Sequence, residues 1–177
     1  GNLRILRDTV QTGKQIEYAG ASFLNFSSND YLGISSNTKL WQKFQSQRHE
    51  QEAPFNGGAC SSRLLTGNAT GYTELEQLLA HLYQRDAALV FNSGYHANIG
   101  ILPALLGKDD LILSDKLNHA SIMDGMRLSS AQHKRYRHCD YRHLAALLEQ
   151  YRGDFGRVVI ASESVFSMDG DVADLAQ

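Results

Sequence analysis

The sequence predicts an α/β fold in which a mostly parallel sheet carries helices on both faces. Two observations lead to this prediction. From about residue 71 onward, short apolar runs alternate with segments whose leucines recur at helical spacing. The runs at 87–91, 111–113 and 158–161 are continuously apolar, which is typical of strands buried on both faces. Small or polar residues follow each run, so we expect one ligand-binding edge at the carboxyl ends of the strands.

Residues 1–36 are predicted to form an extended N-terminal arm with a hairpin, ahead of a larger sheet domain at 37–177. Segments 15–18 and 22–26 are predicted strands on either side of Ala19 and Gly20. Asn37 is predicted to cap a helix that runs to about residue 52.

The rest of the chain continues the alternation. Thr70 or Thr73 is expected to cap a helix that carries Leu75, Leu78, Leu79 and Leu82. Further helices are predicted at 94–107, 118–129 and around 144–151, with a weaker strand at 134–137.

Composition limits the classes of protein that fit. The chain has 177 residues, of which 42% are hydrophobic, enough for a domain with a real core. Its formal net charge of -2 gives no electrostatic reason to expect nucleic acid or an anionic membrane as a partner. The chain contains two cysteines, and neither a membrane-length apolar run nor a signal-peptide core is visible. We therefore expect a cytoplasmic protein.

Residues 92–95 are the first candidate for ligand binding. A strand ends there, Gly94 follows and a helix begins, so backbone N–H groups and the positive end of the helix dipole can meet a phosphate. Ser93 can add a hydroxyl. The alternative is a plain turn that needs a glycine. The spacing around Gly100 and Lys108 does not fit a nucleotide P-loop, and the chain contains no G-x-G-x-x-G fingerprint.

Other polar residues near strand ends have two interpretations each. His119 can stack on a planar ligand or move protons, or it can serve as a structural cap. Glu163 and Ser167 can face a ligand, or they can belong to a tight, self-bonded loop. Arg63 can bind an anion or form a structural ion pair.

A metal site is not expected. The spacing of the candidate ligands does not match the usual zinc patterns, and neighbouring basic residues would repel a cation. We therefore predict surface positions for the candidates, which are His133, His138, Cys139 and His143.

Five segments, in this order, resemble the α-oxoamine synthases: residues 24–33, 62–67, 92–98, 117–122 and 163–171. The resemblance spans nearly the whole chain, and five ordered motifs are far more specific than one. It implies the aspartate-aminotransferase-like fold (fold type I) of pyridoxal 5'-phosphate enzymes and a homodimer with active sites at the subunit interface. It also implies condensation of a small amino acid with an acyl-CoA or acyl-carrier-protein thioester, with loss of carbon dioxide.

The resemblance also implies roles for individual residues. Gly94 and Tyr95 match the pair whose backbone holds the cofactor phosphate, next to Ser93, and His119 matches the catalytic histidine that stacks on the cofactor ring. Ser167, four residues after Glu163, matches the serine near the phenolic oxygen of the cofactor. Asn29 matches an asparagine near the substrate carboxylate, and Arg4 aligns with an arginine at the substrate entrance.

Within the family, the opening motif is most similar to the member that joins L-alanine to a pimeloyl thioester in biotin biosynthesis. Two alternatives remain. One is a sister enzyme that acetylates glycine, and the other is a non-catalytic domain that binds a phosphate ligand or a partner chain. The family's Asp-x-His pair and its Schiff-base lysine would fall beyond Gln177. The lysines present, Lys14, Lys39, Lys43, Lys108, Lys116 and Lys134, do not lie in the family's lysine motif. We therefore expect the N-terminal half of such an enzyme, inactive by itself.

Overall fold

The structure is a computed structural model that describes residue 3, residues 5–49 and residues 58–176. Its contacts divide the chain into two compact units, Gly1–Cys60 and Ser61–Gln177. The division falls after the first helix. The first helix is therefore grouped with the N-terminal arm, whereas the sequence suggested a boundary at residue 36.

The first unit contains a three-stranded antiparallel sheet built from β1 (Val10–Thr12), β2 (Gln15–Tyr18) and β3 (Ala21–Leu24). The predicted hairpin is confirmed. Ala19 and Gly20 have φ values of 50° and 78°, and this left-handed conformation at both turn positions matches the twist of the paired strands. Strand β1 was not predicted, because three residues of mixed polarity give no periodic signal.

Helix α1 (Thr38–His49) completes the described part of this unit. Asn37 caps it as predicted, since its Oδ1 accepts the backbone N–H of Leu40 at 3.0 Å. The predicted extension to residue 52 lies outside the described residues.

The second unit contains a parallel three-stranded sheet in the order β5-β4-β6. The fold prediction is therefore confirmed for these strands. Strands and helices alternate along the chain from α3 onward. In chain order the elements are α2 (Thr70–Leu82), α3 (Gly94–Leu105), β4 (Asp110–Asp115), α4 (Ala120–Leu128), β5 (Gln132–Tyr136), α5 (Tyr141–Tyr151) and β6 (Arg157–Ala161).

The predicted strand at 87–91 is wrong for the part of the chain that the structure describes. These residues pair with no described strand. Side chains take the place of a neighbouring strand at Val90, whose N–H donates to Glu76 at 2.8 Å and whose carbonyl accepts from Arg63 at 3.2 Å. The apolar run predicts a buried strand, but strand pairing also needs a partner, and Leu89 in this run is exposed.

Helices cover both faces of the sheet, as predicted. Side chains alternate along the central strand β4, which is buried throughout. Ile112 packs with Leu106 and Met126 on the face covered by α3 and α4. Leu111 and Leu113 point to the opposite face, where the cluster includes Tyr136 of β5 and Leu144 of α5.

Helices α3 and α4 approach each other very closely at Gly125. A Cβ atom at this position would lie 2.3 Å from the backbone oxygen of Asn98. The glycine therefore sets the spacing of the two helices that border the carboxyl edge of the sheet. Among the described residues, no helix combines the length and the apolar character needed to cross a bilayer.

Candidate active site at the carboxyl edge of the sheet

A cavity of about 590 Å³ opens at the carboxyl edge of the parallel sheet. The start of α3, the start of α4 and the loop after β6 provide its walls. Gly94 and His119, each of which was predicted to face a ligand, both line this cavity. The lining residues are Gly94, Tyr95, Asn98, His119, Ser121, Ile122, Ser162, Glu163, Ser164 and Val165.

The first turn of α3 presents backbone donors at this cavity. Ser93 caps the helix, because its Oγ accepts the N–H of His96 at 3.2 Å. The first intrahelical hydrogen bond runs from Ala97 to the carbonyl of Ser93. The N–H groups of Gly94 and Tyr95 thus precede the intrahelical pattern and can serve an anion. A Cβ atom on Gly94 would meet nothing within 4 Å, so the space beside these donors is open.

His119 is both a cap and a cavity residue. Its structural role as a cap is confirmed, and its role toward a ligand stays a prediction. It stands at the N-cap of α4, where its Nδ1 accepts the backbone N–H of Ser121 at 3.1 Å and contacts the Ser121 hydroxyl at 2.7 Å. A backbone amide can only donate. Nδ1 is therefore unprotonated, and the proton of the neutral ring lies on Nε2.

Two residues that sequence reasoning did not assign hold His119 in place. Asn98 donates from Nδ2 to the Oγ of Ser121 at 2.8 Å, and Ser121 is almost fully buried. Asn98 follows Gly94 by four residues, so both lie on the same face of α3. That spacing is the signal that could have identified Asn98.

Tyr95 connects α3 to α4 at the cavity wall. Its hydroxyl donates to Asp124 at 3.1 Å, and this hydrogen bond, with the nearby negative charge, raises the pKa of the phenol. Asp124 also pairs with Arg127 at 3.0 Å.

The loop after β6 forms the third wall, and Glu163 in it accepts a hydrogen bond from the backbone N–H of His119. This contact places a carboxylate at the start of α4, where the helix dipole favours negative charge. The rest of the loop folds back on itself. Val165 pairs with Val172, and the N–H of Ala173 donates to the carbonyl of Ser164 at 3.0 Å. Glu163 therefore faces the cavity while the loop is also self-bonded.

Of the predicted site residues that the structure describes, three do not line the cavity. Ser93 serves as the cap of α3, and Ser167 is exposed on the loop after β6. Asn29 belongs to the first unit, and Arg4 lies outside the described residues. Their roles toward cofactor and substrate stay predictions.

Arg63 forms a structural ion pair. It holds Glu76 with two bonds of 2.7 and 2.9 Å, donates to Asn68 at 2.8 Å and stacks on the ring of Tyr72 at 4.3 Å. The guanidinium and the Val90 N–H lower the pKa of Glu76 to about 2. The donors of Arg63 are thus used within the protein.

The predicted surface positions of His138 and Cys139 are wrong. Both side chains are half-buried, and they lie with Asp115 at the carboxyl edge of the sheet. Sequence spacing does not indicate this group, because 23 residues separate Asp115 from His138. The exposed position predicted for His133 is confirmed, whereas that of His143 is wrong, because His143 is half-buried and its Nδ1 accepts the backbone N–H of Arg137 at 3.1 Å.

Comparison with known proteins identifies the family. The profile of the aminotransferase class I and II family matches residues 21–177, and the chain belongs to this family. An 8-amino-7-oxononanoate synthase of Haemophilus ducreyi is 55% identical over 176 residues, which cover 98% of this chain and 45% of that protein. The chain thus spans about half the length of the curated relatives that it matches.

Solved structures agree with this assignment. The chain matches a serine palmitoyltransferase from S. paucimobilis with bound PLP at a TM-score of 0.85 and 28% identity, over 98% of this chain and 42% of that one. It matches an 8-amino-7-oxononanoate synthase from Francisella tularensis at a TM-score of 0.63 and 30% identity, over 85% of this chain and 40% of that one. The predicted resemblance to the α-oxoamine synthases and the predicted fold are confirmed.

Proposed function

We propose that this chain provides the N-terminal part of a pyridoxal 5'-phosphate-dependent acyltransferase. The reaction condenses L-alanine with a pimeloyl thioester of CoA or acyl carrier protein, releases carbon dioxide and yields 8-amino-7-oxononanoate. One observation carries the proposal: the N–H donors at Gly94 and Tyr95 and the ring of His119 border the same cavity. The 55% identity to the H. ducreyi synthase supports the choice of reaction.

The residues present fit a phosphorylated, planar cofactor. The start of α3 offers backbone N–H groups and a positive dipole end to the phosphate. The cavity volume of about 590 Å³ falls within the range of small-molecule sites. Ser162 and Ser164 line the same cavity and can supply hydroxyl groups.

The His119 ring is held in place and can therefore orient such a cofactor. Ser121 engages its Nδ1, so the ring plane is fixed and Nε2 carries a proton that it can donate. When bound, pyridoxal phosphate supplies an electron sink for the carbanion at the amino acid's α-carbon. We expect His119 to pack on one face of the cofactor and to hold or transfer a proton at Nε2.

The remaining assignments follow from the family resemblance. We propose that Ser167 approaches the phenolic oxygen of the cofactor, that Asn29 binds the substrate carboxylate and that Arg4 lies at the substrate entrance. We also propose a cytoplasmic homodimer.

A sister reaction with serine or glycine is the second candidate. The TM-score of 0.85 to a serine palmitoyltransferase favours it. TM-scores compare backbones, however, and substrate choice depends on side chains. Identity of 55% to an 8-amino-7-oxononanoate synthase, against 28% to the serine enzyme, therefore favours alanine.

The test is a substrate matrix on the native protein that carries this chain. Alanine, glycine and serine are each combined with pimeloyl-, acetyl- and palmitoyl-CoA, and the amino ketone is identified by mass spectrometry. We expect product from alanine with pimeloyl-CoA. Product from serine with palmitoyl-CoA, or from glycine with acetyl-CoA, would support a sister reaction instead.

A pair of variants tests the role of His119. His119→Ala should lower kcat/KM by about 100-fold, because it removes both the packing surface and the Nε2 proton. His133→Ala, at an exposed histidine of β5, serves as the matched control and should behave like the wild type. Similar activities for the two variants would remove His119 from the mechanism.

A further inference from the structure

Three segments at the carboxyl edge of the sheet meet at one imidazole, that of His138. Its Nδ1 lies 2.9 Å from Oδ1 of Asp115 at the end of β4. Its Nε2 lies 3.0 Å from Oδ2 of Asp171 in the loop after β6. His138 itself follows β5. One side chain therefore ties together the segments that follow all three strands of this sheet.

The hydrogen-bond pattern around this ring favours its charged form. The side chain of Asp115 is almost fully buried, and its two oxygens accept the N–H groups of Leu117 and Cys139 at 2.8 and 2.9 Å. A carboxylate oxygen accepts hydrogen bonds, so Asp115 and Asp171 are both bonded to the ring only when both ring nitrogens donate, that is, when His138 is protonated.

Other titratable groups surround the ring. Asp115 faces it from β4 and Asp171 from the loop after β6. The Cys139 thiol lies 3.7 Å from Nε2, and burial and the charge of Asp115 raise its pKa, so the thiol stays neutral. Tyr141 of α5, beside Cys139, accepts the N–H of Asp174 through its hydroxyl at 2.6 Å. The two carboxylates raise the pKa of His138 itself.

The ring also packs against the loop that it binds. Phe166 is almost fully buried and meets the imidazole edge-on, with the ring centroids 4.5 Å apart. The N–H of Phe166 donates to the carbonyl of Asp171 at 2.8 Å. Glu163, Ser164 and Val165, immediately before this folded part, line the cavity. The part of the loop that His138 contacts is thus continuous with the residues that form the cavity wall.

We propose that His138 is a positioning residue for the cofactor cavity: as a cation between Asp115 and Asp171, it holds the loop after β6 against the sheet edge. The cofactor part of this proposal rests on the proposed function. Two of these residues, Asp115 and His138, also form with Cys139 a group whose ligand atoms are close enough together to hold a metal ion. Hydrogen bonds already engage both oxygens of Asp115 and both nitrogens of His138. This favours a charged arrangement of His138 between Asp115 and Asp171, called the clamp below, over a metal site.

The clamp makes the cavity wall sensitive to pH. The ordinary pKa of histidine is 6.5, and that of His138 is raised in the folded protein. The stabilisation is therefore fully present below the unfolded pKa, and it is lost as the pH rises through the raised folded value. Above that value one ring nitrogen becomes an acceptor and faces a carboxylate, so one of the two bonds is broken.

The test compares two single charge removals in the same loop. Asp171→Asn weakens the clamp at its exposed end, whereas Asp169→Asn, two residues earlier and also exposed, is the matched control. Hydrogen exchange of residues 163–172 is measured in the native protein across neutral to alkaline pH, without and with pyridoxal phosphate. The dissociation constant for pyridoxal phosphate is measured in parallel.

We expect Asp171→Asn to speed exchange in the loop and to raise the dissociation constant about three- to tenfold, while Asp169→Asn resembles the wild type. Wild-type loop protection should fall as the pH rises through the folded pKa of His138, and Asp171→Asn should lose that step. His138→Gln should show the same loss. If His138→Gln does not fold, the comparison of Asp171→Asn with Asp169→Asn still tests whether Asp171 holds the loop. Equal exchange in the two Asp variants overturns the clamp. Failure of the wild type to bind pyridoxal phosphate overturns the proposed function instead, and the exchange data then judge the clamp alone.

Discussion

Glu76 shows how one carboxylate links stability to acid. Arg63 and the Val90 N–H lower its pKa from 4.5 to about 2. A depressed pKa gives stability that is present above the unfolded value and is lost as the pH falls through the folded value. We therefore predict that Glu76→Gln flattens the decline of the urea unfolding midpoint between about pH 4.5 and 2. An unchanged slope relative to the wild type would contradict the assigned ion pair.

A substitution at Ser121 distinguishes the two contacts that hold His119, which come from the Ser121 backbone N–H and from its hydroxyl. In Ser121→Ala the backbone N–H still donates to Nδ1, so we expect the proton to stay on Nε2. The variant loses the acceptor for Asn98, which should cost about 1 kcal/mol of stability. Nitrogen-15 shifts of the ring report the tautomer, and urea unfolding reports the cost. A proton found on Nδ1 of the wild-type ring would refute the geometry.

The secondary structure was readable wherever the side-chain pattern alone decides it. Strand β6 and helix α5 were predicted close to their observed bounds, because apolar runs and helical leucine spacing are local signals. The run at 87–91 carried the same apolar signal, but the side chains of Arg63 and Glu76 form hydrogen bonds with the backbone of Val90. Pairing is a property of two segments, so one segment could not predict it.

The candidate site also has a part that was predictable from the sequence and a part that was not. The meeting of Gly94 with His119 was predictable, because each stands where a helix begins beyond a strand or apolar run. The spacing of Asn98 from Gly94 indicates their shared face of α3, whereas the contact of Asn98 with Ser121 depends on the packing of α3 against α4. The contacts of His138 with Asp115 and Asp171 join the end of β4 to the loops after β5 and β6. Packing creates these contacts of His138, and no sequence spacing encodes them.

The contact between α3 and α4 at Gly125 provides a steric test. In Gly125→Ala the new methyl group would lie 2.3 Å from the Asn98 oxygen, and helix backbone cannot yield as a side-chain tip can. We predict a loss of about 1–3 kcal/mol in the free energy of unfolding. Gly71→Ala in α2 is the matched control, because a methyl there meets nothing within 4 Å. It should be neutral or stabilise by up to about 1 kcal/mol. Equal effects would show that the close approach is absent.

The carboxyl and amino edges of the parallel sheet differ in what they contain. The carboxyl edge bears the cavity, whereas the amino edge is held by Arg157 at the start of β6. Arg157 donates to both oxygens of Asp110 at 3.0 and 2.7 Å and to the carbonyl of Leu105 at 2.6 Å. Asp110, nearly buried, also accepts the N–H of Gly107 at 2.7 Å. This network joins β4, β6 and the end of α3 at the edge opposite the ligand.

We therefore predict that stability and cofactor binding can be changed independently. Arg157→Ala leaves the nearly buried Asp110 without its cation, so the urea unfolding midpoint should fall. The dissociation constant for pyridoxal phosphate in the folded protein should stay within about twofold of the wild type, because sites at opposite edges that share no partner usually act independently. Arg152→Ala, at an exposed position after α5, controls for the loss of charge. A parallel loss of binding in Arg157→Ala would mean that the amino edge also sets the geometry of the cavity, since strand β4 would then transmit its displacement along its full length.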